Sequence, residues 1–222
     1  SDEIVARVRG MVADVARQVL RAPGDPGQSA QQEPDTAAEA QLTAELSGNI
    51  HFLVHCHAQA LEYQLAKRLE QRSGIDPVLS PLTQALIASD DQATASGAMA
   101  LLAAQARFMQ QQRRMELPIN ELPADLYHFV LTSWRTMAGH EQGDAPEAAE
   151  AEQRLRITYD EGNSRAGLLS RLVSSLGAGI SAALSVSHAG VALFASALAA
   201  ASRQDRDLTV IATNDSQLAR LA

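Results

Sequence analysis

The chain has 222 residues, of which 46% are apolar and only 4% aromatic, and it carries a formal net charge of −8. That length and apolar content suffice for one helical domain or two small ones, and the alanine- and leucine-rich composition favours closely packed helices over an aromatic-filled sandwich. The acidic balance argues against a general binder of nucleic acid or of anionic membranes.

Residue types narrow the chemistry further. The single lysine, Lys67, lies in ordinary helix-surface surroundings (Gln64-Leu65-Ala66-Lys67-Arg68), which argues against a phosphate-loop or Schiff-base lysine. The single cysteine, Cys56, rules out an intrachain disulfide and a cysteine-rich zinc module, and favours a reducing cytoplasm as the compartment.

Residues 2–22 place Ile4, Val5, Val8, Met11, Val12, Val15, Val19 and Leu20 at helical spacing. This predicts an amphipathic helix that docks back on the body or onto another molecule. Its charges distinguish it from a secretory leader. Ala22-Pro23-Gly24-Asp25-Pro26-Gly27 ends it, and the polar run to Asp35 has the composition of a flexible linker. Residues 1–35 therefore read as a first segment.

A long helix is expected from Thr36 to Arg72, with Leu42, Leu46, Ile50, Leu53, His57, Leu61 and Leu65 on one apolar arc, and Gly74 stopping it. Ser80-Pro81 has the form of an N-cap followed by a proline at the first helical position, which restarts a short helix through Ile87. Ser89-Asp90-Asp91 separates it from a helix over Gln92–Met115, giving a helical hairpin. After the proline-punctuated loop Glu116–Pro123 a further helix runs over Ala124–Ala138.

The polar break Gly139–Pro146 divides a body, 36–139, from a C-terminal part, 140–222. A charged helix over Pro146–Asp160 and a restart at Ser164 lead into Leu172–Ser202, which contains no Asp, Glu, Lys or Arg. That stretch is long enough to span a bilayer, yet it is Ser-, Gly- and Ala-rich and interrupted at Gly177-Ala178-Gly179 and His188-Ala189-Gly190, so it is read as a buried helix or helix pair. Val210-Ile211 is the one strand-like fragment, too isolated to build a sheet, and the pattern Leu218, Leu221 at the end suggests a longer natural chain. The fold class expected is all-α, a multi-helix bundle or a short α-solenoid of helical hairpins.

The most distinctive local feature is His51-Phe52-Leu53-Val54-His55-Cys56-His57. At about 100° per residue, His51 and His55 stack one turn apart and can present two imidazoles to a metal or haem iron. A third ligand has to come from elsewhere: Glu62 is too far along the helix, while His128 and His140 depend on the fold. Phe52 replaces the glutamate that a metalloprotease would need. The same periodicity leaves His51 and His55 off the apolar arc and puts His57 on it, as a hydrogen-bonded core histidine. Cys56 and His57 diverge by about 100°, which disfavours a nucleophile pair. Arg107, Arg113 and Arg114 form the best basic patch, without the interleaved aromatics of a single-strand nucleic-acid platform. No resident cofactor is expected.

Arg113-Arg114-Met115-Glu116-Leu117-Pro118-Ile119-Asn120-Glu121-Leu122-Pro123, followed by Ala124-Asp125-Leu126, resembles an inter-helix motif of an all-helical domain family of unknown function that occurs widely in alphaproteobacteria. Asp76-Pro77-Val78-Leu79 and Ser164-Arg165-Ala166-Gly167-Leu168-Leu169 are similar to its repeat starts, so the resemblance covers about a third of the chain. It implies a HEAT-like stack of helical pairs in a bacterial protein and supplies no catalytic residues. The function expected is a non-enzymatic interaction or regulatory module with a protein partner or a second copy of itself, without nucleic acid or membrane. The alternatives are a metal or haem sensor on His51 and His55, and a small-molecule sensor with a cavity among the C-terminal helices.

Overall fold

The computed structural model describes residues 2–23, 35–142 and 146–214, with residues 140–142 described by their backbone only. Within them the chain is all-α: α1 (Asp2–Arg21), α2 (Thr36–Ser47), α3 (Ile50–Ser73), α4 (Pro81–Ile87), α5 (Gln92–Arg114), α6 (Ala124–Gln142), α7 (Pro146–Thr158), α8 (Arg165–Ser175), α9 (Ile180–Ala183), α10 (Val186–Ser202) and α11 (Arg206–Thr213), with short 3-10 turns before α6, α8 and α9. The described residues include no strand; Val210 and Ile211 lie in α11. Residues 24–34, residues 143–145 of the expected break, the side chain of His140 and the terminal Leu218 and Leu221 lie outside the described residues.

Several helix starts follow directly from capping chemistry. Ser80 Oγ accepts from Thr83 N at 3.2 Å with Pro81 next in line, and Ser164 Oγ accepts from Gly167 N at 3.1 Å. Each relieves one of the amide donors that a helix start leaves without an intrahelical partner. Gly74, at φ +66°, ends α3 in a left-handed conformation that a side chain would disfavour.

The expected single helix over 36–72 is instead two, α2 and α3. The reason is Asn49, whose Oδ1 accepts from His51 N at 2.9 Å and Phe52 N at 3.1 Å, capping a new helix behind Gly48. The break resets the helical phase. Leu42, Leu46 and Leu61 are buried, but Ile50 is 65% exposed and Leu53, His57 and Leu65 are only half-buried. The inner face of α3 is Phe52, Cys56, Gln59, Glu62 and Ala66, at steps of three and four.

The chain forms two compact units that interleave along the sequence: residues 1–56 with 115–161, and residues 57–114 with 162–222. The linear division into 1–35, 36–139 and 140–222 does not follow them, because the chain passes between the units within α3, after the end of α5 and again between Glu161 and Gly162.

In the first unit, α1 is not detached: it packs on α2 and α6 and buries Met11, Val12, Val15, Ala16 and Val19. Its polar side fastens the proline loop, with Leu117 N donating to Asp14 Oδ2 at 2.9 Å, and Gln18 both donating to Leu117 O and accepting from Ile119 N. Trp134, Phe52, Leu122 and Leu131 fill the interior, and Tyr127 stacks on Tyr159 with ring centroids 4.0 Å apart.

In the second unit, α4, α5, α8 and α10 surround Leu82, Leu101, Leu169, Leu172 and Leu193, with alanines at Ala98, Ala104 and Ala197 admitting close helix approach. The uncharged stretch supplies the end of α8, the short α9 and α10. Helix α10 bends at Gly190 (φ 69°, ψ 171°), a conformation essentially reserved for glycine. No single helix among the described residues is long and apolar enough to cross a membrane, although α8 and the following Gly177–Ala183 segment, bent by 107°, pass that test as a pair.

Candidate functional site

The second unit buries three charges together. Glu62, on the inner face of α3, takes a bidentate ion pair from Arg165 at the first position of α8, with Nη1–Oε1 at 2.6 Å and Nη2–Oε2 at 2.9 Å. Arg165 also donates from Nη1 to Gln105 Oε1 at 3.1 Å and from Nη2 to Gln59 Oε1 at 2.9 Å. Its guanidinium carbon lies 3.7 Å from the ring centroid of Phe108, a cation–π contact. Gln105 Nε2 donates to Pro77 O, so the acceptor that meets Arg165 is itself held in place.

These contacts follow from spacing. Gln59 and Glu62 are three apart on α3, and Gln105 and Phe108 three apart on α5, so each pair shares a face. Ser164, the cap of α8, fixes where Arg165 leaves the backbone.

Arg206, opening α11, reaches the same carboxylate, with Nη2 3.0 Å from Glu62 Oε2. This is an ion contact without hydrogen-bond alignment, and Nη2 is buried with no hydrogen-bond partner. Nε donates to Ser196 Oγ of α10 at 2.9 Å. Burial alone would raise the pKa of Glu62. The charges of Arg165 and Arg206 and the hydrogen bonds of Arg165 outweigh it and hold the carboxyl at about 2, so Glu62 is ionised at neutral pH.

Against this cluster lies a half-open cavity of about 310 Å³, walled by residues of α8 and α10 and rimmed by Arg203, Gln204 and Arg206. Ala166, Ser170, Val173 and Ser174 repeat on one side of α8, and Ser196, Ala199, Ala200 and Arg203 on one side of α10. Its volume is at the lower end of small-molecule sites, roughly 300–1,000 Å³. The first unit has a shallower, larger groove of about 670 Å³ lined by Gln41, Ala44, Glu45, Gly48, Asn49 and Phe129. A third hollow, beside Gly190 and Ser80, holds only about 20 Å³.

The histidines expected from sequence are separated by environment. His51 is exposed and His55 is 2% exposed, so the two imidazoles lie in different surroundings, while His57, placed in the core by the arc, is half-buried. Both Glu62 oxygens are engaged by arginines, and His128, exposed, faces Arg156 through Nδ1 at 3.2 Å. Among the described residues no group of three or more His, Cys, Asp or Glu side chains is placed to hold a metal ion. Cys56 is buried, and Arg107, Arg113 and Arg114 are exposed along α5.

Sequence reasoning set Glu62 aside as a metal ligand and did not connect it with Arg165 or Arg206. The available signal was Gln59 and Glu62 three residues apart, in phase with the buried Phe52, Cys56 and Ala66. No protein-family model, no curated protein and no solved structure matches the chain.

Proposed function

We propose that the chain is a non-enzymatic regulatory protein that binds a small molecule in its second unit, among α8, α10 and α11. The observation that carries this reading is the 310 Å³ cavity with Arg206 in its wall. The same guanidinium that lines the cavity touches Glu62, and Glu62 holds Arg165. Filling the cavity therefore acts on a buried ion cluster joining α3, α5, α8 and α11, which is how a small ligand shifts the stability of a helical unit. Hydrogen–deuterium exchange tests it. A panel of small polar compounds, charged and neutral, is scanned for any that increases protection of residues 206–213. Ala200→Leu, which fills the cavity from an exposed helical position, is expected to abolish the effect. A panel that leaves α11 unprotected counts against the reading.

A second reading, a protein-interaction module that pairs with its own copy, is favoured by the first unit's open groove with Phe129 in its wall and by the 65% exposed Ile50 that follows Asn49. Light scattering compares the chain with Ile50→Asp; a dimer converted to monomer supports it, and a monomer in both removes it.

A further inference from the structure

We propose that the ligand of the α8–α10–α11 cavity is a small oxyanion, a carboxylate or phosphate group held by Arg206 and Arg203. The inference rests on the reading of that cavity as a ligand site and adds the chemical class.

The first ground is charge. One carboxylate, Glu62, faces two guanidiniums, Arg165 and Arg206, so the cluster carries one positive charge in excess. Arg165 is the cation that satisfies Glu62: it is bidentate, with the second donors of Nη1 and Nη2 on Gln105 and Gln59. Arg206 is the surplus one. Its Nε is on Ser196, its Nη2 meets Glu62 out of alignment, and Nη1 has no bond to any described residue. A guanidinium 83% buried and short of acceptors stands where an anion would complete its set.

The second ground is the wall itself. Arg203 brings a second guanidinium, and it forms no hydrogen bond or ion pair with a described side chain. Ser170 and Gln204 add a hydroxyl and an amide, and no Asp or Glu lines the cavity. The carbonyls ending α10 would repel an anion if bare, but Gln204 N covers Ala199 O at 3.0 Å and Arg203 N covers Ala200 O at 3.4 Å. Arg203 is carried to the rim by its left-handed backbone, φ 55°, as the C-cap of α10. Asp205, next in the chain to the lining Gln204 and Arg206, is turned to its own helix and caps Leu208 N at 3.0 Å.

The test uses the full chain with three probes at matched ionic strength: inorganic phosphate, benzoate, and benzamide as benzoate's uncharged counterpart. Calorimetric titration is expected to show saturable binding of phosphate or benzoate, with benzamide about tenfold weaker than benzoate. Which anion binds distinguishes phosphate from carboxylate. Arg203→Gln, exposed and outside the buried cluster, is expected to weaken anion binding severalfold without changing the melting temperature, and Ala200→Leu to abolish it. Because Arg206 substitution disturbs the buried cluster, these two variants carry the test. Benzamide binding as tightly as benzoate overturns the oxyanion assignment while leaving the cavity a ligand site. Anion binding that survives Ala200→Leu overturns the location, and failure of all three probes overturns the assignment and weighs against the cavity reading with it.

Discussion

The two units solve the problem of a buried interior with different materials. The first hides its large rings, Trp134, Phe52 and Tyr127, and ties its loops with neutral and charge-assisted bonds near the surface, such as Asp14 to the amide of Leu117. The second has a leucine and alanine interior and also buries Gln59, Glu62, Gln105, Arg165, Ser196 and Thr209. Apolar packing tolerates exchange of similar volumes, whereas a buried ion cluster is costly to break on one side, since the partner left behind has lost both water and counter-charge. The contrast locates specificity, and the dependence on solution conditions, in the second unit.

The largest expected effect breaks that contrast directly. Glu62→Ala strands Arg165 and Arg206, and should destabilise the protein by about 3–5 kcal/mol in chemical denaturation followed by circular dichroism. Trp134, the single tryptophan and 2% exposed, belongs to the first unit, so its emission maximum in the native protein should not move. A shifted maximum would show that the cluster shapes both interiors and would end the comparison.

Acid provides the next test. The folded pKa of Glu62, about 2, lies below its ordinary value of 4.5, so the stabilisation is complete above the ordinary value and is lost as pH falls from about 4.5 to about 2. The loss is on the order of 3 kcal/mol. Denaturation midpoints measured across that window should fall steeply for the native chain and more gently for Glu62→Gln, which no longer titrates there. Equal slopes would mean that carboxylates elsewhere govern the acid transition.

Two glycines compare backbone constraint in the units. At Gly190 a methyl would sit 3.1 Å from Ser80 Cβ on a backbone at φ 69°, and Gly190→Ala is expected to cost about 1–3 kcal/mol. Gly10 is helical and unstrained, but a methyl there would come within 2.7 Å of Met115 Cβ. Gly10→Ala should cost a similar amount, about 1–3 kcal/mol, through overpacking. Thermal denaturation of both separates strain from crowding: Met115→Gly, which removes the Cβ that the new methyl meets, should rescue Gly10→Ala, and no such trimming should rescue Gly190→Ala fully.

What could be read from sequence was whatever is local. Ser80-Pro81 and Ser164 announced α4 and α8 because a cap and its amide lie within three residues. The uncharged Leu172–Ser202 stretch reads as buried for its small residues, and the structure buries Leu172, Val173, Leu193 and Ala197 at its two ends, but most of residues 174–187, Leu184 and Val186 included, are exposed. The Glu62–Arg165 pair joins residues 103 apart, and no period along the chain reports such a meeting. The interleaving of the units is illegible for the same reason, since it depends on where α3 and α5 travel. The single apolar arc expected through 42–65 is broken at Asn49, so Ile50 is exposed and His57 is only half-buried.

That break yields the smallest and most specific prediction. Asn49 sits where a helical phase drawn through Leu46 and Leu53 would have it continue the helix, yet its Oδ1 accepts two amides and starts α3 afresh. If the cap sets the phase, Asn49→Ala should cost about 1 kcal/mol, the usual value of an N-cap, and Asn49→Asp should preserve stability because a carboxylate accepts the same bonds and favours a helix start. Amide exchange at His51 and Phe52 should quicken in the alanine variant alone. If instead Asn49→Ala is neutral and exchange at those amides is unchanged, the turn at Gly48 is sufficient to divide the helices. The burial of Phe52 and Cys56, and the exposure of Ile50, then owe their phase to packing in the first unit rather than to the cap.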